Sequence, residues 1–502
     1  MATQRLVPAG LEAYIEQARQ DWGAPGVAIA VVRDDVVVFA RGFGVRELGK
    51  DGPVDEHTLF AVASTTKAFT AALLGMLVDE GRLKWDDPVT SYLPGFQLYD
   101  PFVTRELTVR DLLCHRSGLS RGDSLWYATG FDRAEVLHRV RHLKPSWSFR
   151  ARYGYQNIMY LAASQVIEAV AGQSWDDFIE ARLLAPLGMT RSVTSVHELA
   201  GMENVATPHH QDEDSGDVTP IPYWDVDNIA GAGALNASAV EMAQWMRLNL
   251  AGGLYEGTRL LSEDVIREMQ TPQMINNDPE RREIEAKIDI GVNFNTYGLG
   301  WAVYDYQGRK VIAHGGGLDG MRSEVMMAPA EKLGVVVLTN LTRVGAYLPN
   351  AIAYRTLDAY LGNPERDWSR DYLKAAGEMA AEQKAEEEKI VGAHVEGTAP
   401  SLPLAAYTGT YRNAMYGDAE IAQEGDALVL KFYRLVGDLA HWHYDTFRIH
   451  WRNPGMDKAY AVFTLNVKGQ AETLKWEGIP EPIAFTRADA AEADEAARAS
   501  DA

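Results

Sequence analysis

The sequence predicts an α+β fold: one antiparallel sheet flanked by helices, with an inserted, mostly helical subdomain, followed by a small all-β, barrel-like C-terminal domain. Strand-like runs lie at both ends of the first 365 residues, and the stretch between them, roughly 64–250, has helical periodicity. Beyond residue 403, short strands recur at the spacing of an all-β sandwich or barrel. Because the first sheet draws its strands from two distant segments, the helical stretch must be an insertion.

The individual elements follow from the hydrophobic period. Apolar residues recur at helical spacing within residues 10–22, and two β-rich runs, GVAIAVV (26–32) and VVVFA (36–40), form a hairpin. The middle contains helical patterns that end in glycine, such as IMYLAASQVIEAVAG and AVEMAQWMRLNLAGG. From Tyr297 the period returns to two, in YGLGWAVY, KVIAH, MRSEVMMA and LGVVVLTN, and AIAYRTLDAYLG (351–362) closes the segment as a helix.

Composition divides the chain into four parts. The sheet and its insertion occupy residues 1–365, a charged helix and a linker rich in small residues occupy 366–402, and the C-terminal β domain occupies 403–487. Residues 488–502 lack core-forming side chains, so we expect a disordered tail. The first part is long enough to bury a core of its own.

Charge and composition exclude several classes of partner. The 502 residues carry a formal net charge of −22, which argues against a nucleic acid or an anionic membrane as the partner. The one cysteine, Cys114, excludes an internal disulfide and a metal site built from several thiolates. The N-terminal MATQRLVPAG has no apolar signal core, and no apolar run approaches the ~18 residues of a membrane span. We therefore expect a cytoplasmic protein without a membrane segment.

A serine and a lysine one helical turn apart open the helical stretch. In FAVASTTKAFTAALLGMLVDEGRL, Ser64 stands at the start of an apolar helix and Lys67 follows three residues later. Side chains three apart on a helix are neighbours, so the lysine lies over the serine. A serine hydroxyl becomes a good nucleophile when a base removes its proton. The alternative is structural: Ser64 caps the helix and Lys67 is solvated.

Two further segments favour the catalytic interpretation. Tyr155-Gln156-Asn157 precedes a predicted helix, and His314-Gly315-Gly316 ends a predicted strand. In type and order, these segments and S-x-x-K resemble the three motifs of the serine β-lactamase and penicillin-binding protein superfamily. The wider similarity, over about residues 10–362, is to the class C-like branch, which also contains D-amino-acid peptidases and esterases. Residues 403–487 resemble, more weakly, the β-barrel-like domain appended to some of these hydrolases.

The resemblance implies roles for the residues of the first two motifs. Ser64 would be the nucleophile that forms an acyl-enzyme, and Lys67 its hydrogen-bonded partner. Tyr155 would act as general base during attack and then as proton donor to the leaving group. Asn157 would hold Lys67 and contact the substrate amide.

The third motif would bind the substrate. Gly315, Gly316 and Gly317 would let a substrate backbone lie close to the strand edge, and the backbone N–H groups of Ser64 and Gly317 would form the oxyanion hole. His314 departs from the pattern, since enzymes acting on penicillins or D-alanyl-D-alanine usually have lysine there. We expect a histidine that is partly charged near neutral pH, which favours substrates without an obligatory carboxylate at that position.

Other motifs carry less weight. Gly315, Gly317 and Gly320 satisfy G-x-G-x-x-G, but strands rather than a helix follow. We expect Cys114, beside His115, to be a core residue. The other candidates that we interpret as structural are a polar loop, two exposed histidines on one strand and an alternate tyrosine: His209-His210, His441 with His443, and Tyr153.

The sequence therefore predicts a serine hydrolase that works through an acyl-enzyme. A peptidase or amidase for small or D-residue-containing peptides and a carboxylesterase rank about equally, ahead of a β-lactamase or D-alanyl-D-alanine carboxypeptidase. The alternative of another class is a non-catalytic binding or sensor protein on the same fold. We expect a small-molecule or short-peptide substrate and neither cofactor nor metal, and a homo-oligomer is compatible with the sequence.

Overall fold

The computed structural model describes residues 7–127, 129–212, 215–342, 347–453, 456, 458–478 and 482–488. The chain forms two compact units. The first comprises Met1–Arg121 and Lys144–Ala380, and the second comprises Gly122–Leu143 and Ala381–Ala502. The second unit thus includes a segment from the middle of the chain, which composition did not indicate. The predicted tail lies, apart from Ala488, outside the described residues.

Most of the described helices belong to the first unit, while Arg133–Arg139 belongs to the second and Trp368–Gly392 runs along the chain from the first unit into the second. In chain order they are α1 (Leu11–Asp21), α2 (Thr66–Asp79), α3 (Pro101–Glu106), α4 (Val109–Leu113), α5 (Arg133–Arg139), α6 (Asn157–Ala171), α7 (Trp175–Ile179), α8 (Ala230–Gly233), α9 (Ala239–Leu250), α10 (Glu263–Met269), α11 (Pro279–Lys287), α12 (Leu348–Leu361) and α13 (Trp368–Gly392). Within the described ranges, none of these helices combines the length and the apolarity needed to cross a membrane.

The strands of the first unit are short, and most of them form one sheet. They are β1 (Gly26–Arg33), β2 (Val36–Gly44), β3 (Phe60–Ala61), β4 (His209–Gln211), β5 (Val218–Pro220), β6 (Asn236–Ala237), β7 (Leu254–Tyr255), β8 (Thr258–Arg259), β9 (Met274–Ile275), β10 (Asn295–Tyr297), β11 (Ala302–Tyr306), β12 (Arg309–Leu318), β13 (Met321–Ala328) and β14 (Leu333–Thr339). The antiparallel sheet has the order β2-β1-β14-β13-β12-β11-β10-β9. Its strands come from both ends of the unit, so the prediction of one sheet with a helical insertion is confirmed.

Helices cover both faces of this sheet. Strand β1 is buried along seven of its eight residues rather than at alternate positions. The helices α1 and α12 contact strands of the sheet and each other, and α9 contacts β1, β2 and β14. A strand covered on both faces reads as a continuous apolar run, which explains GVAIAVV.

The inserted helices assemble around α2. Twelve of the fourteen residues of α2 are buried, because α6, α7, α8 and α10 all contact it. A helix that is apolar all round must lie inside the protein. Lys67 is one of those buried residues, so the structure excludes the alternative in which it is solvated.

The second unit contains a closed eight-stranded antiparallel barrel, in agreement with the predicted all-β, barrel-like domain. Its strands are β15 (Gly409–Asn413), β16 (Gly417–Glu424), β17 (Ala427–Phe432), β18 (Leu435–His443), β19 (Thr446–Trp451), β20 (Ala459–Leu465), β21 (Ala471–Glu477) and β22 (Ile483–Arg487). Buried aromatic rings that pack edge to face fill its interior, including those of Tyr407, Phe447 and Phe463. The barrel is therefore a packed core.

Candidate active site

Ser64 lies in a tight turn between a short strand and a buried helix. After β3 the chain turns through Ala63, whose φ of 49° lies in the left-handed region that non-glycine residues seldom adopt. Two hydroxyl groups hold this turn, since Thr65 Oγ1 and Ser323 Oγ donate to the Val62 carbonyl at 2.9 and 2.8 Å. Strain of this kind persists only where the surroundings fix the backbone. The half-buried Ser64 is thereby held at the N-terminal end of α2.

Lys67 is fully buried in the first turn of α2. Its Nζ donates to Ser64 Oγ at 3.0 Å, to Asn157 Oδ1 at 2.8 Å and to the Ala232 carbonyl at 2.8 Å. An ammonium group has three donors, which matches these three acceptors. The acceptors come from the turn, from α6 and from α8, and all three are neutral oxygens. Lys67 therefore joins three distant segments at the serine hydroxyl.

Tyr155 precedes the residue that caps α6. Gln156 Oε1 accepts a hydrogen bond from the Ile158 N–H at 2.9 Å, and Gln156 Nε2 donates to the Ser120 carbonyl at 2.5 Å. The side chain of Gln156, the middle residue of this motif, therefore bonds to backbone groups through both its oxygen and its nitrogen. Lys67 Nζ lies 4.8 Å from the centroid of the Tyr155 ring. Sequence positions about 90 apart are brought together here by the packing of α2 on α6.

A second cation also lies over the Tyr155 ring. The guanidinium carbon of Arg121 is 5.1 Å from the ring centroid. Positive charge close to a phenol favours its ionised form. Lys67 and Arg121 therefore place two cationic side chains beside the Tyr155 ring.

Gly316 packs directly against the turn that carries Ser64. A Cβ atom at Gly316 would lie 2.1 Å from the Val62 carbonyl oxygen and 2.3 Å from Ser323 Oγ. Backbone atoms cannot yield this much space. The glycine is therefore required by the close approach of β12 to the turn.

The glycines on either side of Gly316 are also crowded, but by long side chains. A Cβ at Gly315 would lie 2.8 Å from Glu324 Oε2, and one at Gly317 would lie 2.0 Å from Arg322 Nη1. Both side chains belong to β13, whose residues pair with the two glycines. The sequence predicted that these glycines admit a substrate, and the structure adds a second reason for them in the packing of the sheet.

One edge of β12 extends beyond its neighbour. The last pair between β12 and β11 is Ala313 with Ala302, whereas the pairs between β12 and β13 continue to Leu318 with Met321. In the described part of the chain, residues 314–318 thus have no strand on their β11 side. Such an edge can add the backbone of an extended peptide.

His314 is buried, and both of its ring nitrogens are engaged. Nδ1 donates to the Gly315 carbonyl at 2.6 Å, so Nε2 accepts the Tyr297 O–H at 2.8 Å. Burial, together with the positive charge of Lys67, lowers the pKa of His314 to about 3. The expectation of a partly charged histidine is therefore wrong, because an imidazole inside this pocket stays neutral.

A set of buried rings around Tyr155 was not predicted from the sequence. The ring of His115 lies 4.3 Å from that of Tyr155, and the rings of Tyr160 and Tyr297 lie 5.4 and 4.8 Å from His115. Tyr160 donates to the Leu113 carbonyl at 2.5 Å. The available signal was a histidine beside Cys114, which the sequence predicted to be a core residue.

The other candidates have structural roles. Cys114 is fully buried, and burial raises the pKa of its thiol to about 12, as expected of a core residue. The polar loop predicted at His209-His210 is instead the strand β4. The buried His209 accepts a hydrogen bond from the Leu48 N–H and donates to the Asn340 carbonyl. Residues after Gly320 form the strand β13, which excludes the dinucleotide motif.

The two barrel histidines and the alternate tyrosine also differ in detail. His441 and His443 lie in β18 on either side of a bulge, and His441 is exposed. The bulge removes the simple alternation by which they would share a face. Tyr153 is buried and packs its ring edge against His115 at 5.4 Å.

One group of side chains has the spacing of a metal site within the part of the chain that the structure describes. His197, Asp225 and Asp227 place one ligand atom each within 4.8 Å of one another. His197 is exposed, and Asp227 Oδ2 accepts the hydroxyl of Ser195 at 2.5 Å. These contacts account for the group as a polar surface cluster.

The sheet, the inserted helices and the Ser64–Lys67 pair define a hydrolase of the β-lactamase and penicillin-binding protein class. Residues 11–359 match the Beta-lactamase family, and residues 393–495 match a domain of unknown function, DUF3471. Because the first match covers more than half of the chain, this protein belongs to the Beta-lactamase family. The predicted resemblance and the additional C-terminal domain are confirmed.

Individual relatives agree with the family. The unguisins hydrolase ungD of Aspergillus violaceofuscus is 30% identical over 470 residues, which are 85% of this chain and 81% of that protein. Penicillin-binding protein 4 of Amycolatopsis lactamdurans is 30% identical over 328 residues, which are 64% of this chain and 82% of that protein. The structure of the octameric penicillin-binding protein homologue from Pyrococcus abyssi matches with a TM-score of 0.63 at 23% identity, covering 94% of this chain and 99% of that one.

Proposed function

We propose that this protein is a serine hydrolase that cleaves amide or ester bonds through an acyl-enzyme at Ser64. The observation that carries the proposal is the hydrogen bond of 3.0 Å between Ser64 Oγ and the buried Nζ of Lys67. A structural serine at a helix start has no need of a buried ammonium group, whose desolvation is costly. Membership of a hydrolase family supports the same conclusion.

The first half of the reaction forms the acyl-enzyme. Tyr155, as phenolate, takes the Ser64 proton while Ser64 Oγ bonds to the substrate carbonyl carbon, and the carbonyl oxygen becomes an oxyanion. The backbone N–H groups of Ser64 and Gly317 stabilise that charge, and loss of one such donor typically costs about 10²–10³ in rate. The tetrahedral intermediate then releases the amine or alcohol, which leaves with the proton from Tyr155.

The second half regenerates the enzyme. A water molecule gives a proton to Tyr155 and bonds to the acyl carbon, and the Ser64 ester bond breaks as the proton returns to Ser64 Oγ. Lys67 Nζ donates to Ser64 Oγ and lies 4.8 Å from the centroid of the Tyr155 ring, and Asn157 Oδ1, at 2.8 Å, keeps the ammonium in place. No cofactor enters this sequence of steps.

The unpaired edge of β12 suggests an extended substrate. Among the described residues, no strand pairs with residues 314–318 on the β11 side, and Gly316 lies against the turn that carries Ser64. His314 is neutral and both its nitrogens are occupied, so it supplies no charge for a substrate carboxylate. We therefore place amides of small or D-residue-containing peptides and carboxylic esters first, with a β-lactamase or D-alanyl-D-alanine carboxypeptidase second.

The relatives support this ranking without deciding it. The name of the unguisins hydrolase gives hydrolysis of unguisins as its activity, and the similarity to it extends over most of this chain. Penicillin-binding protein 4 supports the second choice. The non-catalytic alternative would require that a protein without hydrolase activity has retained Ser64, Lys67 and Tyr155. An octameric homologue makes a homo-oligomer worth testing, and the domain boundaries at 365 and 403 stay a prediction.

The nucleophile is tested by intact mass after brief exposure to a fluorophosphonate. We expect one adduct on the wild type, none on Ser64→Ala, and an unchanged adduct on Ser91→Ala, which alters an exposed serine. Rates on a D-alanyl amide, a short-chain nitrophenyl ester and a cephalosporin then rank the substrates. An adduct that persists in Ser64→Ala would contradict the assignment.

The base is tested separately. Tyr155→Phe keeps the ring but removes the hydroxyl, so turnover should fall by about 10²–10⁴. Circular dichroism checks that the variant is folded. Full turnover in a folded Tyr155→Phe protein would rule out this tyrosine as the general base.

A further inference from the structure

His115 holds the chain on both sides of Tyr155. Its carbonyl accepts the Gly154 N–H, and its ring Nδ1 accepts the Gln156 N–H at 3.1 Å. These N–H groups belong to the residues directly before and after Tyr155, so one residue holds the chain on both sides of it. The segment 153–156 has no regular secondary structure that would fix it otherwise.

The backbone of His115 is itself in an unusual conformation. Its φ of 58° is left-handed, which is uncommon for a residue other than glycine, although histidine adopts it more often than most. His115 lies just after the end of α4, and this conformation allows its carbonyl and its ring to reach the same segment, 153–156. A strained residue that is completely buried indicates a specific demand on its position.

The ring of His115 also packs on the phenol ring. The two centroids are 4.3 Å apart with an angle of 34° between the planes, which is a tilted stack. The Nζ of Lys67 also contacts the phenol, 4.8 Å from its centroid. Tyr155 is therefore held through its ring as well as through its backbone.

The protonation state of His115 suits this task. Because Nδ1 accepts an N–H, the proton of the neutral ring is on Nε2. Burial, and after it the positive charge of Lys67, lowers the pKa of His115 well below its ordinary value. Nε2 has no hydrogen-bond partner among the described residues. The Nε2–H donor of His115 is thus unused, and Nδ1 stays available as the acceptor for the Gln156 N–H.

We propose that His115 is a positioning residue that holds the Tyr155 phenol ring beside Lys67 by clamping Gly154 and Gln156 and by packing on that ring. The inference rests on the proposed function, because it assigns His115 a role through the proposed general base. His115 touches neither substrate nor reacting atoms. Displacement of a catalytic group by about 1 Å is enough to cost about 10²-fold in rate.

Two variants separate the parts of the clamp. His115→Asn tolerates the left-handed backbone and keeps a side-chain acceptor, but loses the stacked ring. His115→Phe keeps a ring and loses the acceptor, so the buried Gln156 N–H is left unpaired. We expect kcat for a nitrophenyl ester to fall about 10-fold in the first variant and about 100-fold in the second, with KM within about threefold of wild type.

Tyr153→Phe is the matched control. Tyr153 belongs to the same buried cluster and contacts the His115 ring at 5.4 Å, but it is not part of the proposed machinery. Its kcat should stay within about twofold of wild type. Thermal midpoints of all variants show whether any loss of rate reflects unfolding.

A double-variant experiment distinguishes positioning from a general structural effect. The readout is the rate at which a fluorophosphonate labels Ser64, which remains measurable in slow variants. If His115 acts through Tyr155, His115→Asn has no further effect in a Tyr155→Phe background. An equal loss in both backgrounds, or an unchanged kcat in folded His115→Asn and His115→Phe proteins, would overturn the inference. Full activity of Tyr155→Phe would instead overturn the proposed function.

Discussion

Two buried charges of the first unit are stabilised in different ways. The carboxylate of Asp111 is fully buried and accepts hydrogen bonds from Arg116 at 2.5 Å, from Arg150 at 2.6 Å and from Thr108 at 2.8 and 2.9 Å. The ammonium of Lys67, equally buried, donates to three neutral oxygens. The Asp111 carboxylate has two arginine partners, whereas the three hydrogen bonds of Lys67 named above go to neutral oxygens.

The difference distinguishes a structural charge from the charge of the proposed active site. Burial alone would raise the pKa of Asp111, but the hydrogen bonds from Arg150 and Thr108 and the charge of Arg116 outweigh burial and hold the pKa below its ordinary value. Its charged form is thereby favoured. Neutral dipoles stabilise an ammonium group less than a carboxylate does. The hydrogen bond from Lys67 to the Ser64 hydroxyl therefore still allows that hydroxyl to lose and regain its proton. We expect Asp111 to contribute stability and Lys67 to contribute rate.

The largest expected effect is on turnover in Lys67→Met. Removal of the ammonium should lower kcat for a nitrophenyl ester by about 10²–10⁴, because Ser64 and Tyr155 lose their shared partner. The change removes the desolvation cost of a buried ion but takes the Lys67 donor away from Asn157 Oδ1 and the Ala232 carbonyl, so urea unfolding should show a loss of about 1–3 kcal/mol. A Lys67→Met protein that is folded and fully active would remove the distinction between the two charges.

The next effect concerns the approach of β12 to Ser64. Gly316→Ala places a Cβ 2.1 Å from the Val62 carbonyl, so the strand must move away from the turn. We expect kcat/KM to fall about 10²-fold. Gly377→Ala is the matched control, since nothing lies within 4 Å of a Cβ there and its kcat/KM should not change.

Asp111→Asn should lower stability and leave the rate within about threefold of wild type. Loss of one partner from a buried ion pair typically costs about 3–5 kcal/mol, and we expect about 3 kcal/mol in the free energy of unfolding because Arg150 is half exposed. Urea titration measures it. Asp264→Asn, which breaks an exposed pair with Arg267, should cost less than about 1 kcal/mol. A large loss of turnover in Asp111→Asn with little loss of stability would reverse the comparison.

The buried carboxylate of Asp111 also predicts a pH dependence of stability. A carboxyl group whose folded pKa is depressed contributes stability above its ordinary pKa, which is 3.8 for Asp111, and loses it as pH falls through the folded value. The difference in unfolding free energy between wild type and Asp111→Asn should therefore be constant from about pH 5 to 8 and shrink below about pH 4. A difference that shrinks already between about pH 7 and 5 would contradict the depressed pKa.

The smallest expected effect concerns His314. Because its pKa is lowered to about 3, His314 acquires no charge between about pH 5.5 and 8. The ratio of kcat/KM for an ester that carries a carboxylate to that for a neutral ester should change less than about twofold over this range. If His314 titrated near its ordinary value of 6.5, the ratio would rise toward acid pH. The rise would identify an imidazolium in the pocket.

Local sequence predicted the parts of the site that helix geometry fixes. The spacing of Ser64 and Lys67 on one helix places them together, since neighbours three apart share a face. The approach of Tyr155 and Asn157, about 90 residues away, depended on the resemblance to a family, because no period or spacing relates α2 to α6. The assignment of Gly122–Leu143 to the second unit had no local signal either.

The charge of His314 and the clamp formed by His115 were beyond local sequence for the same reason. A pKa depends on burial and on charges from other segments, and Lys67 and His314 are separated by almost 250 residues. His115 holds Tyr155 through hydrogen bonds between two loops, which sequence does not encode as a pattern.

By itself, the sequence determined the main elements, the antiparallel sheet with its helical insertion, the barrel-like C-terminal domain and the hydrolase family, because hydrophobic period and short motifs are local properties. Only the tertiary structure decided which groups are charged, how closely β12 approaches Ser64 and which residues hold Tyr155. These properties arise from burial and from contacts between distant segments, and both exist only once the chain has folded.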